Sequence, residues 1–164
     1  PKSVSKLILS STAAQFRLDE TKKMMCKLGG DYAAEVAYQF FSKPSQAAYD
    51  TYGKVCLPLY SNPNAPAAGN FRDRAIERPE VALHFFSYEM AGMDMRSEIA
   101  SITCPTLVVG GTIDPVTPPI CSQVIADAIG KNASLKLFEA CGHGPHRDDP
   151  KGAEKVMRSF LSTN

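Results

Sequence analysis

Residues 102–146, ITCPTLVVGGTIDPVTPPICSQVIADAIGKNASLKLFEACGHGPH, decide the fold class of this chain. Within them, residues 106–110 (TLVVG) form a short β-branched apolar run between a proline and a glycine pair, which predicts a buried parallel strand. Asp114 follows just past the end of that strand. Thr117 is followed by two prolines, a pattern that predicts the cap of a helix that ends near Ile129. The first half of the stretch is therefore predicted to be a strand, an acidic loop and a helix.

A second strand and a histidine loop follow this helix. Residues 134–140 (SLKLFEA) alternate apolar and polar side chains, and Gly142 and Gly144 then place His143 in a tight loop. Because parallel strands in βαβ units present their carboxyl ends on one edge, we expect Asp114 and His143 to be neighbours. A carboxylate that accepts a hydrogen bond from one imidazole nitrogen leaves the other nitrogen available as a base. The pair therefore indicates two members of a catalytic triad.

These motifs resemble the carboxyl-terminal portion of a cap-bearing α/β hydrolase, a group that includes proline iminopeptidases, esterases and carbon–carbon bond hydrolases. The runs CPTLVVGGTIDPVTP and CGHGPHRDDP and the closing amphipathic helix carry the resemblance, which covers residues 1–12 and about 94–161. It implies a partial α/β-hydrolase fold, with the last three parallel strands and their flanking helices. It also implies that Asp114 is the catalytic acid and His143 the catalytic histidine. The sequence departs from the family pattern in containing no G-x-S-x-G motif and no version of it with a central cysteine.

The beginning of the chain resembles the middle of that fold. Residues 4–11 (VSKLILSS) resemble the sixth strand of the family, which follows the helix that bears the nucleophile. The resemblance therefore implies that the nucleophile and the oxyanion-hole amides belong to a missing amino-terminal half, and that this chain alone is inactive. A strand without its neighbour presents an unpaired edge, so we expect self-association through that edge.

Residues 13–93 change from strand-like runs to helical periodicity, which predicts an all-helical cap inserted into a core of residues 1–12 and 94–164. The predicted cap helices are residues 19–28, 31–41, 45–56 and 80–90, and a proline-rich loop covers residues 57–70. Most aromatic and sulfur side chains of this region are expected to pack between cap helices, with a minority facing the substrate. The side chains concerned are Phe40, Phe41, Tyr49, Tyr52, Phe85, Phe86, Tyr88, Met90, Met93 and Met95.

Two further expectations concern single side chains of the predicted cap. Phe40 and Phe41 are adjacent, as are Phe85 and Phe86, so one member of each pair is expected to point away from the core. Cap glutamates bind a substrate amine in the iminopeptidases that the sequence resembles, and Glu77, Glu80 and Glu89 are the candidates here. Solvated surface carboxylates explain the same residues more simply.

Several alternative chemistries remain open at this stage. His146 lies on the same loop as His143 and competes with it for the role of base. A metal site would use both histidines with Asp148 and Asp149, although the helical histidine pair and the C-x-x-C spacing of strong sites are absent.

One further histidine and two cysteines are also considered as reactive side chains. His84 is interpreted as structural. Cys121 lies near a helix start, where thiols can be acidified, and Cys141 lacks the strand-to-helix turn that presents a nucleophile. No metal or cofactor is predicted.

Composition narrows the class of protein further. The 164 residues, 44% of them hydrophobic, suit one globular domain, and 18 basic against 17 acidic residues leave a net charge of +1. No basic cluster interleaves with aromatics and no apolar run is long enough for a bilayer, so neither nucleic acid nor a membrane is an expected partner. Five cysteines without C-x-x-C spacing favour the cytoplasm.

The function predicted from the sequence is hydrolysis of an ester or amide bond in a small-molecule substrate, with this chain supplying the acid and the histidine. The alternative is a non-catalytic hydrolase-like binding module or a stable proteolytic fragment.

Overall fold

A parallel three-stranded sheet forms the centre of the protein. The computed structural model describes residues 3–65 and 76–163. The strands lie in the order β1 (Leu7–Ser10), β2 (Thr106–Gly111) and β3 (Ala133–Phe138). Leu7 lies opposite Thr106 in the first pair of strands, and Gly111 lies opposite Phe138 in the second. All three predicted strands are present, and both pairs are parallel as the βαβ pattern requires.

The middle strand, β2, is buried along its whole length because helices cover both faces of the sheet. Leu107 and Val109 point to one face and pack with the closing helix, while Val108 points to the other and packs with the helix that follows β2. A half-exposed strand needs polar residues at alternate positions, whereas a strand covered on both faces does not. The continuous apolar run of β2 follows from this two-sided burial, which contributes about 1.5–3 kcal/mol for each large side chain.

Four helices accompany the second half of the sheet. They are α4 (Arg96–Ile99), α5 (Pro119–Ile129), α6 (Pro145–Asp148) and α7 (Pro150–Ser162). Helices α1 to α3 precede them in the chain and belong to the helical region described below. Asp149 caps α7 by accepting a hydrogen bond from Gly152 N at 2.9 Å. At the other end of α7, the Lys6 ammonium donates to the carbonyl oxygens of Phe160 and Leu161 at 2.8 and 3.0 Å. A cation at this position stabilises the helix carboxyl terminus and fastens β1 to α7.

The helical region that precedes α4 begins with α1 (Leu18–Ser42) and α2 (Gln46–Val55) and continues with a 3₁₀ turn (Leu57–Tyr60) and α3 (Pro79–His84). The two helices predicted around Gly30 form one element that breaks at this residue, whose φ of 76° suits glycine. In the described parts of the chain, no helix has both the length and the apolar composition needed to cross a bilayer.

An aromatic core holds this helical region together. Its buried members are Met25, Ala34, Val36, Ala37, Phe40, Phe41, Tyr52, Cys56 and Met90. The expectation that one residue of each phenylalanine pair points away from the core is wrong for the first pair, since Phe40 and Phe41 are 2% and 6% exposed. The reason is that α1 is enclosed on two sides, where Phe16 contacts Phe41 and Phe86 contacts both rings. The second pair follows the expectation, because Phe85 is 40% exposed while Phe86 packs against the core.

Both ends of the helical region meet beside the sheet. Gln15 and Asp94 form an antiparallel bridge, and Met95 N donates to Ala14 O at 2.8 Å. The division into a core of residues 1–12 and 94–164 and a cap of residues 13–93 stays a prediction. Of the predicted loop at residues 57–70, the part from 57 to 60 is the 3₁₀ turn and residues 66–70 lie outside the described residues.

Candidate active site

The loops that follow β2 and β3 are packed tightly against each other. Ile113 N donates a hydrogen bond to Cys141 O at 3.1 Å. A Cβ atom at Gly111 would lie 2.0 Å from that same carbonyl oxygen, so only glycine allows the two backbones to approach this closely. The approach of the loops brings Asp114 and His143 together.

Asp114 is a fully buried carboxylate, with 0% of its surface exposed. Its Oδ1 accepts hydrogen bonds from the backbone N–H groups of Val116 at 2.8 Å and Thr117 at 2.9 Å. Its Oδ2 accepts from the Thr117 hydroxyl at 2.8 Å. Buried polar groups are stable only when hydrogen-bonded, and these three donors fix the orientation of the carboxylate.

His143 provides the fourth donor to this carboxylate. Its Nδ1 lies 3.0 Å from Asp114 Oδ2 and 3.2 Å from Oδ1. Because the carboxylate only accepts, Nδ1 carries the proton and donates, which leaves Nε2 as the accepting nitrogen of the neutral ring. The side chain of His143 is 26% exposed, so this histidine is held from inside while part of it faces the surroundings. An imidazole oriented by a carboxylate in this way can accept a proton through Nε2.

Thr117 has a different role from the predicted helix cap. Helix α5 begins at Pro119 and has no side-chain cap, because the Thr117 hydroxyl is turned to Asp114. An aspartate that bonds the backbone two and three residues ahead forms a local turn, and a threonine hydroxyl at the third position joins the same turn. The D-P-V-T spacing carries this signal, although it is equally compatible with a cap.

Sequence reasoning missed Tyr60, which brings the helical region to the histidine. The Tyr60 carbonyl accepts a hydrogen bond from His143 N at 2.7 Å, and the tyrosine and imidazole rings meet edge-on with centroids 5.3 Å apart. The hydroxyl oxygens of Tyr60 and Tyr52 lie 2.7 Å apart. Burial raises the pKa of Tyr52 far above its usual range, and the neighbouring Tyr60 adds a smaller effect in the same direction, so the Tyr52 hydroxyl stays protonated. No spacing in the sequence links residue 60 to residue 143.

The residues considered as an alternative base or as metal ligands have other positions and contacts. His146 lies exposed in α6, and the imidazole that contacts Asp114 is that of His143. Asp148 accepts from the backbone and Asp149 caps α7, so both carboxylates are used within the protein. Across residues 3–65 and 76–163, no three His, Cys, Asp or Glu side chains are grouped closely enough to hold a metal ion.

The cysteines are not arranged as nucleophiles. Cys121 and Cys141 are 2% and 3% exposed. Burial raises the pKa of the Cys121 thiol to about 11, and the nearby Asp114 adds to this effect. Burial also raises the pKa of Cys141. Since the thiolate is the reactive form, a helix start does not acidify Cys121 and neither thiol is activated.

The candidate substrate-binding glutamates lie on the surface. Glu77, Glu80 and Glu89 are exposed, and Glu80 and Glu89 lie 4.0 and 3.8 Å from basic groups of Arg78 and His84. Exposed pairs at such distances contribute little to stability. A role of these carboxylates in binding a substrate amine stays a prediction.

The comparisons with known sequences concern the second half of the chain. Residues 90–164 match the model of the hydrolase family described as TAP-like protein. Over 70 residues the chain is 36% identical to a putative carbamate hydrolase RutD of Pseudomonas syringae pv. syringae (strain B728a). This match covers 43% of the chain and 27% of the length of that relative.

The comparisons with solved structures cover nearly all of the chain. A proline iminopeptidase from Mycobacterium smegmatis matches with a TM-score of 0.67 and 18% identity, over 98% of this chain and 57% of its own. MenH from S. aureus matches with a TM-score of 0.63 and 19% identity, over 96% of this chain and 59% of its own. An α/β fold family hydrolase from Bacillus anthracis str. Sterne matches with a TM-score of 0.60 and 17% identity, over 98% of this chain and 59% of its own.

These likenesses and the topology confirm the predicted fold class. The three parallel strands with flanking helices are part of an α/β-hydrolase fold. The chain spans less than three fifths of the length of these structural neighbours, at 57–59%. At identities below 20%, the likeness establishes the fold and leaves the substrate open.

Proposed function

We propose that this chain supplies the acid and the base of a serine-type hydrolase, with Asp114 as the acid and His143 as the base. The observation that carries the proposal is the 3.0 Å hydrogen bond between His143 Nδ1 and a carboxylate that is fully buried. A carboxylate confined in this way fixes the imidazole tautomer and stabilises the imidazolium that forms during catalysis.

The reaction proposed is the cleavage of an ester or amide bond in a small molecule. A nucleophilic hydroxyl attacks the carbonyl carbon while His143 Nε2 takes the hydroxyl proton. The imidazolium then gives this proton to the leaving group, and the tetrahedral intermediate collapses to an acyl-enzyme. Water repeats the sequence with His143 again as base, which releases the acid product. Asp114 remains a carboxylate throughout and stabilises the positive ring.

The nucleophile is proposed to lie in an amino-terminal part of the hydrolase that precedes these residues. Two facts support this: the sequence has no G-x-S-x-G motif, and the chain spans 57% of the iminopeptidase whose fold it shares. The oxyanion-hole amides come from the residue after the nucleophile and from an earlier loop, so they belong to the same part. The chain on its own is then inactive.

The test compares the polypeptide encoded by the complete open reading frame with the present chain, using p-nitrophenyl acetate as substrate. We expect hydrolysis from the longer polypeptide alone. In that polypeptide, His143→Ala should lower kcat by about 10⁴-fold or more, as removal of a triad member does. His146→Ala is the matched control from the same loop and should leave kcat within about twofold, since its ring lies outside the Asp114 contact.

Two results would contradict the proposal. One is an open reading frame that begins near Pro1, with no nucleophile elbow before it, which would favour the non-catalytic binding module. The other is equal activity in His143→Ala and the unchanged protein. A longer reading frame from which the present chain arises by cleavage, with no activity in either form, would identify it as a stable proteolytic product.

We also propose that β1 provides a contact for another strand. It pairs with β2 along one side, and within residues 3–65 and 76–163 its other side has no paired strand. An open strand edge is a template for pairing, either with the proposed amino-terminal part or with a second copy. We expect light scattering of this chain to show self-association that the longer polypeptide lacks. A monomer at high concentration would contradict the second-copy contact.

The cytoplasm is the proposed location. All five cysteines are free thiols, which suits a reducing compartment. Fractionation of cells that express the tagged protein would test this, and recovery in an oxidising compartment would contradict it.

A further inference from the structure

We infer that Asp148 is a positioning residue that clamps the His143 loop to the helical region. The inference rests on the proposed function only where it treats His143 as the base. Asp148 closes the short helix α6 and is 8% exposed, so its carboxylate lies inside the protein. A carboxylate in such a place requires hydrogen-bond donors, and the identity of those donors indicates what it does.

The donors of Asp148 come from two separate parts of the protein. Its Oδ2 accepts from Gly142 N at 2.7 Å, the residue directly before the histidine. The same oxygen accepts from Asn62 N at 2.9 Å, a residue of the helical region 86 positions away in sequence. One buried oxygen therefore joins the histidine loop to the segment that follows Tyr60.

Two further hydrogen bonds connect the same two segments. Asn62 Nδ2 donates to Ala140 O at 2.8 Å, and His143 N donates to Tyr60 O at 2.7 Å. Four hydrogen bonds thus surround the histidine backbone, two of them on Asp148. Charge-assisted hydrogen bonds are roughly twice as strong as neutral ones, so the two bonds to the Asp148 carboxylate are the strongest of the four.

The backbones at the joint are in direct contact. A Cβ atom at Gly142 would lie 2.2 Å from Tyr60 O, so a side chain at this position would push the loop and the segment apart. Ala140, just before the loop, has a φ of 54°, which is uncommon for a residue other than glycine. Such a conformation persists only where its surroundings enforce it, and here Ala140 O accepts from Asn62 Nδ2 while Ala140 N donates to the Thr112 hydroxyl oxygen at 2.9 Å.

The consequence concerns the imidazole. The position of the His143 backbone sets the distance from Nδ1 to Asp114, and a displacement of about 1 Å at a reacting group lowers rates by about 10²-fold. Loss of the Asp148 contacts should therefore disturb the Asp114–His143 hydrogen bond without changing either residue. Asp148 acts through the loop and has no contact with the reacting atoms.

The test uses NMR of this chain and needs no catalytic activity, so it stays informative whether or not the proposed hydrolysis is found. In Asp148→Ala, the amides of Gly142 and Asn62 should exchange with solvent about tenfold faster, as one lost hydrogen bond implies. The proton on His143 Nδ1, held by Asp114, should broaden or disappear from the spectrum.

Asp149→Ala is the matched control. It removes the neighbouring carboxylate, which accepts from Gly152 N and lies exposed at the start of α7. Its thermal midpoint should fall, while the Gly142 and Asn62 amides and the His143 Nδ1 proton should stay as in the unchanged chain. This difference separates positioning from a general loss of stability.

An unchanged Nδ1 proton signal in Asp148→Ala would overturn the inference, because Asp148 would then stabilise the fold without positioning the imidazole. If that variant does not fold, Asp148→Asn decides the question. Its amide oxygen can occupy the Oδ2 position as a weaker acceptor, so Gly142 and Asn62 exchange should rise while the Nδ1 signal remains. Exchange identical to that of the unchanged chain would equally overturn the clamp.

Discussion

Asp114 and Phe40 are both almost completely buried, at 0% and 2% exposure, but they are buried by different means. Three donors from the turn that follows it, together with one imidazole, surround Asp114. Phe40 is surrounded by other rings, among them Tyr52 with its centroid 4.7 Å away. The first environment fixes the orientation of the Asp114 carboxylate, because hydrogen bonds weaken steeply when misaligned. The second mainly fixes the volume that the Phe40 side chain can occupy.

This difference separates the two regions of the protein by what they can tolerate. The sheet loops depend on single atoms, such as the hydroxyl of Thr117 and the missing Cβ of Gly111. The helical region depends on the total volume of its aromatic core, and cores of this kind accept substitutions that conserve volume. We therefore expect the chemistry to reside in the loops and the choice of substrate to vary with the helical region. The segment around Tyr60 is where the two regions meet.

The largest expected effect separates chemistry from stability. Asp114→Asn keeps the shape of the side chain, and its amide oxygen can still accept from Val116 N and Thr117 N. The amide nitrogen cannot accept from His143, so the ring should adopt the other tautomer. We expect kcat of the polypeptide from the complete reading frame to fall about 10⁴-fold on p-nitrophenyl acetate, with a near-native thermal midpoint. A variant that stays active would show that the acid is elsewhere.

The next effect tests the aromatic core by comparing two phenylalanines. Phe40→Ala should lower the free energy of unfolding by about 3–5 kcal/mol, because it leaves a cavity among packed rings. Phe85→Ala, at a position 40% exposed, is the control and should cost about 1 kcal/mol or less. Urea denaturation measures both. Equal losses in the two variants would mean that Phe40 is not a core residue.

A smaller effect concerns the close approach of the two loops. Gly111→Ala places a methyl group where Cys141 O now lies, so we expect about 1–3 kcal/mol of destabilisation from the forced separation. Gly92→Ala is the control, since a Cβ there would meet no atom within 4 Å. Thermal unfolding of both variants measures the difference. Tolerance of alanine at position 111 would contradict the packing described for the loops.

The smallest effect is a gain in stability. Gly53 lies within α2, and a Cβ at this position would make only an ordinary contact, 3.8 Å from Leu57 Cδ1. Gly53→Ala should therefore raise the free energy of unfolding by about 0.5–1 kcal/mol, because glycine loses more backbone entropy than alanine in a helix. A decrease in urea denaturation would show that the packing around α2 is tighter than described.

The sequence was sufficient for the sheet because its signals are local. Each strand is a short apolar run next to glycine or proline, and the parallel order follows from the helix between β2 and β3. The same reasoning led to Asp114 and His143, since both follow strand ends. Their catalytic roles stay predictions, as do the domain division and the self-association.

The remainder of the site depends on contacts that no local signal reveals. Asp148 meets Asn62 across 86 positions, whereas the sequence offered Asp148 a role only in an alternative metal site that was not predicted. Thr117 had two compatible local roles, and burial of the neighbouring aspartate decided between them. One member of the Phe40–Phe41 pair was expected to point away from the core, but a second layer of aromatic rings covers Phe41. In each case the deciding partner comes from another element.

The tautomer of His143 decides whether this residue can act as the base. Nitrogen-15 NMR of the neutral imidazole distinguishes a protonated Nδ1 from a protonated Nε2 in this chain, whatever its activity. We predict a proton on Nδ1, shared with Asp114, and its loss from that nitrogen in Asp114→Asn. A neutral ring protonated on Nε2 in the unchanged chain would contradict the proposed role, because Nε2 could then take no proton from a nucleophile.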